Sequence, residues 1–132
     1  MATGLQASIA NFIHRYIHSF EELEVLLLLS ASPGRRWTAQ QVDESIRSNL
    51  ESIERRLDQL VEHQLVARYT DGDTIQFQFH PVTQDLTVLV EQLAKAYKEH
   101  RVSVIEQIFA EPPSSIQSFA DSFRIRRKDN DA

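Results

Sequence analysis

A hairpin signal at Asp71-Gly72 narrows most sharply what this chain can fold into. Thr74-Ile75-Gln76-Phe77-Gln78-Phe79-His80 alternates strictly between apolar and polar residues, the period of a strand with one buried face. Leu65-Val66-Ala67-Arg68-Tyr69 reads as its partner strand. Asp71-Gly72 between them suits a type I′ turn, in which both central residues need positive φ. Ile75, Phe77 and Phe79 are then expected to face the core, and Pro81, which has no N–H to donate, to end the pairing.

Helix starts precede the hairpin with almost no slack. Ser19-Phe20-Glu21-Glu22, Thr38-Ala39-Gln40-Gln41 and Ser48-Asn49-Leu50-Glu51 each fit a capping box, in which side chains satisfy the orphan backbone N–H groups of a first turn. The first opens a helix over Leu23 and Val25–Leu29 that is apolar nearly all round and is expected to be the central buried helix. Ser32-Pro33-Gly34 stops it. The second opens a short helix resting on Ala39, Val42 and Ile46. The third opens a helix running to about Gln64, with Leu50, Ile53, Leu57, Leu60 and Val61 as its buried stripe. Trp37, just before the short helix, is expected to be buried against Ile75 or Phe77 as part of a third strand. The order from Trp37 to Pro81 is that of a helix-turn-helix followed by a β wing.

Helical framing flanks this core. Leu5, Ile9, Phe12, Ile13, Tyr16 and Ile17 recur at helical spacing near the N-terminus. Beyond the hairpin, Thr83 to Ala110 reads as one long helix of about 40 Å, with Leu86, Leu89, Val90, Leu93, Tyr97, Val104, Ile105 and Ile108 on one face. Glu111-Pro112-Pro113 breaks it. Ile116, Phe119 and Phe123 then return to helical spacing, ahead of Arg124, Arg126, Arg127 and Lys128. The segments are 1–18 (framing), 19–81 (helix-turn-helix and wing), 82–110 (long helix) and 111–132 (amphipathic-basic tail, expected to be partly disordered). The fold class is mainly α with a small β-hairpin.

The net charge is −5, so nothing global draws the chain to phosphate, although a local basic patch can still do so. The absence of cysteine excludes disulfides and thiol chemistry. The longest apolar run, Val25–Leu29, is too short to span a bilayer, and the N-terminus lacks the basic-then-apolar pattern of a secretion signal. A cytoplasmic protein without membrane partners is expected. Glycine occurs only at Gly4, Gly34 and Gly72, so there is no phosphate-cradling loop. His14 and His18 have a zinc-compatible spacing but no third ligand placed by sequence, and are taken as surface or interface residues. No catalytic residue, metal or cofactor is assigned, and an enzyme is not expected.

The short helix Thr38–Ile46, the helix Ser48–Gln64 and its exit through Leu65-Val66-Ala67-Arg68 into a hairpin resemble winged-helix transcriptional regulators of the MarR and PadR kind. The resemblance implies that the Ser48–Gln64 helix enters the major groove of duplex DNA and that helices at the two chain ends form a homodimer. Candidate DNA contacts are Asn49, Ser52, Arg55 and Arg56 in the groove, with Arg35, Arg36 and Arg47 on phosphates. Candidate dimer contacts are Leu5, Ile9, Phe12, Ile13, Tyr16, Leu93, Tyr97, Val104 and Ile108.

The outward face of the third helix, laid out at 100° per residue, carries Ser48, Glu51, Ser52, Arg55, Asp58, Gln59 and Glu62, and the hairpin tip is acidic as well. Acids do not neutralise phosphate. A second class of function therefore stands beside DNA binding: an interaction module that docks on another regulatory protein. In that case Phe119, Phe123, Arg124, Arg126 and Arg127 of the tail are candidate partner contacts.

Overall fold

A computed structural model describes residues 5–110. The tail candidates Phe119, Phe123, Arg124, Arg126 and Arg127 lie outside them. Among the described residues, six helices and a three-stranded sheet follow in order: α1 (Ala7–Tyr16), α2 (Phe20–Ser30), β1 (Trp37–Thr38), α3 (Ala39–Ile46), α4 (Leu50–Glu62), β2 (Val66–Asp71), β3 (Thr74–Phe79), α5 (Gln84–Glu99) and α6 (Arg101–Phe109). The sheet is antiparallel with strand order β1-β3-β2. This is the winged helix-turn-helix arrangement expected from the sequence.

The central helix is α2. Leu23, Val25, Leu26 and Leu29 have no exposed surface, and α2 touches α3, α4, α5 and β3. Full burial of one such side chain stabilises by about 1.5–3 kcal/mol. Ser19 caps α2 by accepting from the Glu22 N–H at 3.0 Å. The Glu22 carboxylate reaches one residue further back than in a capping box, accepting from the His18 N–H at 3.0 Å. At α3 the box is complete, with Gln41 N–H on Thr38 Oγ1 at 3.1 Å and Thr38 N–H on Gln41 Oε1 at 2.9 Å.

Helix α4 starts one residue later than its sequence pattern predicts. Asn49, not Ser48, is the N-cap, accepting from the Ser52 N–H at 2.8 Å. The helix turns accordingly: Ile53, Leu57 and Leu60 are fully buried, whereas Leu50 is 42% exposed. At its end, Gln64 N–H bonds Val61 O at 3.0 Å and Leu65 N–H bonds Leu60 O at 3.1 Å, a Schellman closure with Gln64 left-handed at φ 65°.

Trp37 is buried and pairs with Phe77 across β1 and β3, as expected. The hairpin turn sits one residue beyond its expected place. Asp71 pairs with Thr74, so Gly72 and Asp73 form the loop, and only Gly72 has positive φ, at 64°. That is the φ pattern of a type II′ turn rather than type I′. Phe77 and Phe79 are buried, but Ile75, on the same strand face, is 49% exposed because it lies near the hairpin tip, beyond the body that covers the other two.

The long helix is two. The helix starts where expected, with Thr83 as the N-cap of α5, but the chain leaves helical geometry at His100 (φ −137°, ψ 54°), and α6 packs on α1. Neither Gly nor Pro stands at the break. Burial of Val104 in the core accompanies it. Ile9, Phe12, Ile13, Leu93 and Val104 therefore meet within one chain, and their apolar surface is consumed there rather than left for a copy. Leu5, Tyr16, Tyr97 and Ile108 are only partly buried against the same core.

Candidate nucleic-acid interface

The turn between α3 and α4 is held from below. Glu21 on α2 accepts from the hydroxyls of Ser48 and Ser52 and from Arg56 Nε at 2.9 Å. Burial pushes the Glu21 carboxyl up, but the Ser48, Ser52 and Arg56 donors outweigh it and hold the group below its ordinary value. This cluster corrects two sequence expectations. Ser52 is buried under the helix, and Arg56 is turned inward onto Glu21. Arg56 lies on the flank of α4, whereas Ser52, placed on the outward face by the sequence, is buried.

A second buried carboxylate lies beside the first. Glu22 has no exposed surface, and its Oε2 stands 3.4 Å from His63 Nδ1 at the end of α4. Burial raises its carboxyl above the ordinary value, against the opposing pull of the His18 N–H and His63. His18 lies past the end of α1, its ring 5.5 Å from that of His63, while His14 contacts Gln107 on α6. The two histidines thus do not share a helix face. Among the described residues no group of three His, Asp or Glu is placed to hold a metal.

The exposed face of α4 carries Leu50, Glu51, Glu54, Arg55, Asp58 and Glu62. Glu54 was not counted on this face from sequence. Anchoring the helical wheel on Ile53, Leu57 and Leu60 without Leu50 would have found it. Arg68 on β2 leans onto Asp58, which leaves Arg55 as the α4 cation with no ion pair among the described residues. Arg47 is exposed in the turn, in left-handed conformation at φ 64°, next to the exposed N-cap Asn49.

The remaining candidate arginines, Arg35 and Arg36, directly precede β1. The Arg35 guanidinium lies 3.6 Å from the Trp37 ring centroid, and that of Arg36 lies 3.8 Å from the Tyr69 ring. Tyr69 follows Arg68 along β2, so its side chain leaves the opposite face of the sheet from Arg68 and Phe77. Arg36 is therefore on the far side of the wing from α4.

Between α4 and the wing runs a groove of about 700 Å³. Leu50, Ile75 and Phe77 supply its apolar lining, and Glu54, Asp58 and Asp73 supply carboxylates, with Arg68 among them. A smaller cavity of about 260 Å³ lies between the start of α1 and α5, lined in part by Leu5, Ile9, Lys95 and Glu99. Among the described residues no helix is long and apolar enough to cross a membrane.

No family model matches the sequence, and no curated protein matches it. Solved structures do match the fold. MepR, a transcription regulator of the Staphylococcus aureus multidrug efflux pump MepA, superposes with a TM-score of 0.54 at 16% identity, over 89% of this chain and 87% of MepR. A mutant MarR from E. coli gives 0.51 at 13% identity, over 88% of this chain and 85% of MarR. The same mutant complexed with operator DNA gives 0.52 at 13% identity, over 87% of this chain and 81% of MarR. At such identities the likeness establishes architecture: the chain has the winged helix-turn-helix fold of MarR-type transcription regulators.

Proposed function

We propose that this protein is a cytoplasmic transcription regulator that binds duplex DNA as a homodimer through the α3-turn-α4 unit. The observation that carries the reading is the turn itself. Glu21 fixes it against the central helix, and Arg47, Asn49 and Arg55 are left exposed around it. A fold shared with a MarR solved on operator DNA supports the same use. Affinity then rests on few cations. Each phosphate contact contributes about 0.9 to the slope of log affinity against log salt, so Arg35, Arg47 and Arg55, with Arg36 turned to the far side of the wing, allow a slope of about three or less per half-site. Fluorescence anisotropy with a duplex from upstream of the protein's own gene tests the proposal. Arg55→Ala is expected to weaken binding and Glu51→Gln to strengthen the non-specific part. Absence of binding at low salt would remove the proposal.

A second reading is favoured by the acidic face of α4, where Glu51, Glu54, Asp58 and Glu62 surround Arg55. In this reading the winged fold docks on another regulatory protein and leaves DNA alone. Glu51 or Asp58 substitutions would then weaken a co-purifying protein and leave duplex binding unchanged.

A further inference from the structure

The groove between α4 and the wing is built for something apolar and positively charged. Leu50 and Ile75 stay 42% and 49% exposed although a covering layer would bury both. Three carboxylates, Glu54, Asp58 and Asp73, line the same groove, and Arg68 is already spent on Asp58. Phosphate is repelled by such a lining, and a purely apolar occupant would strand the carboxylates. An occupant must bring apolar side chains and cations together.

The chain's own sequence carries such a segment. Ile116, Phe119 and Phe123 stand at i, i+3 and i+7, and Arg124, Arg126, Arg127 and Lys128 follow directly. The linker is long enough to cross most of the domain. An extended chain covers about 3.3 Å per residue, so the run from Ala110 to Phe119 spans up to about 30 Å. A domain of about 100 residues has a radius of gyration of only about 13 Å. We infer that residues 116–128 dock intramolecularly in the α4–wing groove. Phe119 and Phe123 then cover Leu50, Ile75 and Phe77, and the basic run faces Glu54, Asp58 and Asp73. The inference is independent of DNA binding, because it concerns what covers this groove when no other molecule is present.

Zero-length carbodiimide cross-linking of the full chain tests it without DNA. Lys128 is the single lysine after Lys98, so its cross-links are unambiguous. Unlabelled and ¹⁵N-labelled chains are mixed first, so that links within one chain carry a single label. The expected products join Lys128 to Glu54, Asp58 or Asp73 with a single label. Ile75→Lys, at a half-exposed position, and the pair Phe119→Asp with Phe123→Asp should each lower their yield about tenfold, with an unchanged circular dichroism spectrum. Three results would overturn the inference: Lys128 joined only to acids away from the groove, mixed-label links as abundant as single-label ones in an equal mixture, which assigns the groove to a second copy, or yields that neither variant changes.

Discussion

Two adjacent glutamates on α2 are used in opposite ways, and the difference is a matter of donors. Glu21 receives three side-chain donors, from Ser48, Ser52 and Arg56, and its carboxyl is held below its ordinary value. Its folded pKa is depressed, so its contribution is present above the unfolded pKa and is lost as pH falls through the folded one. Glu21→Ala should destabilise by about 2 kcal/mol at pH 7, the scale of hydrogen bonds to a charged group, and the deficit should shrink in thermal melts at acidic pH. Glu22 is buried, with one backbone donor and His63 at 3.4 Å, and burial raises its carboxyl. Its sign is reversed: stability from this group is full below the unfolded pKa and is lost as pH rises through the folded one. Melts of Glu22→Gln beside the parent should show the variant gaining on the parent as pH rises from 4 to 8. A constant difference across that range would mean that Glu22 does not titrate differently in the fold.

The helices of the helix-turn-helix end at two left-handed residues that are not glycine. Arg47 at φ 64° closes α3, and Gln64 at φ 65° closes α4. A side chain costs about 1–2 kcal/mol in that conformation, and glycine is the usual occupant of the second site. Gln64→Gly should therefore raise the melting temperature by a few degrees, about 1 kcal/mol less the added freedom of the unfolded chain. Arg47→Gly should gain similarly in stability and at the same time lose duplex affinity if the guanidinium contacts phosphate. Equal gain at both positions with no loss of affinity would make Arg47 a helix terminus and nothing more.

For the whole molecule, the apolar faces of the terminal helices are spent within the chain. Leu93 and Val104 have no exposed surface, so a charge at either should unfold the protein rather than split a dimer. The apolar surface left on α5 and α6 is Val88, Val102 and Phe109, exposed by 38%, 68% and 72%. If the homodimer forms by this surface, light scattering on a size-exclusion column should give a dimer mass. Val102→Asp with Phe109→Asp should then yield a folded monomer, and a parent that is already monomeric at micromolar concentration would sink the idea.

The sequence by itself determined the order of elements as far as the hairpin, two of the helix caps and the burial of Trp37 against the hairpin. These follow from local rules: a cap side chain bonds its own first turn, and alternation in a strand sets one face. Even the errors there are single-residue shifts, Asn49 for Ser48 as a cap and Gly72-Asp73 for Asp71-Gly72 as a turn, since neighbouring polar residues offer nearly equivalent local bonds. Tertiary structure decided what no local rule contains. Ser48 is not the cap and Ser52 does not face outward: Glu21, far away in sequence, collects both hydroxyls. Leu50 and Ile75 are apolar at positions of correct period, yet no element among the described residues covers them. The helix from Gln84 to Phe109 breaks at His100 without a breaker residue and α6 lies on α1, a contact between segments far apart in sequence that helical periodicity cannot report.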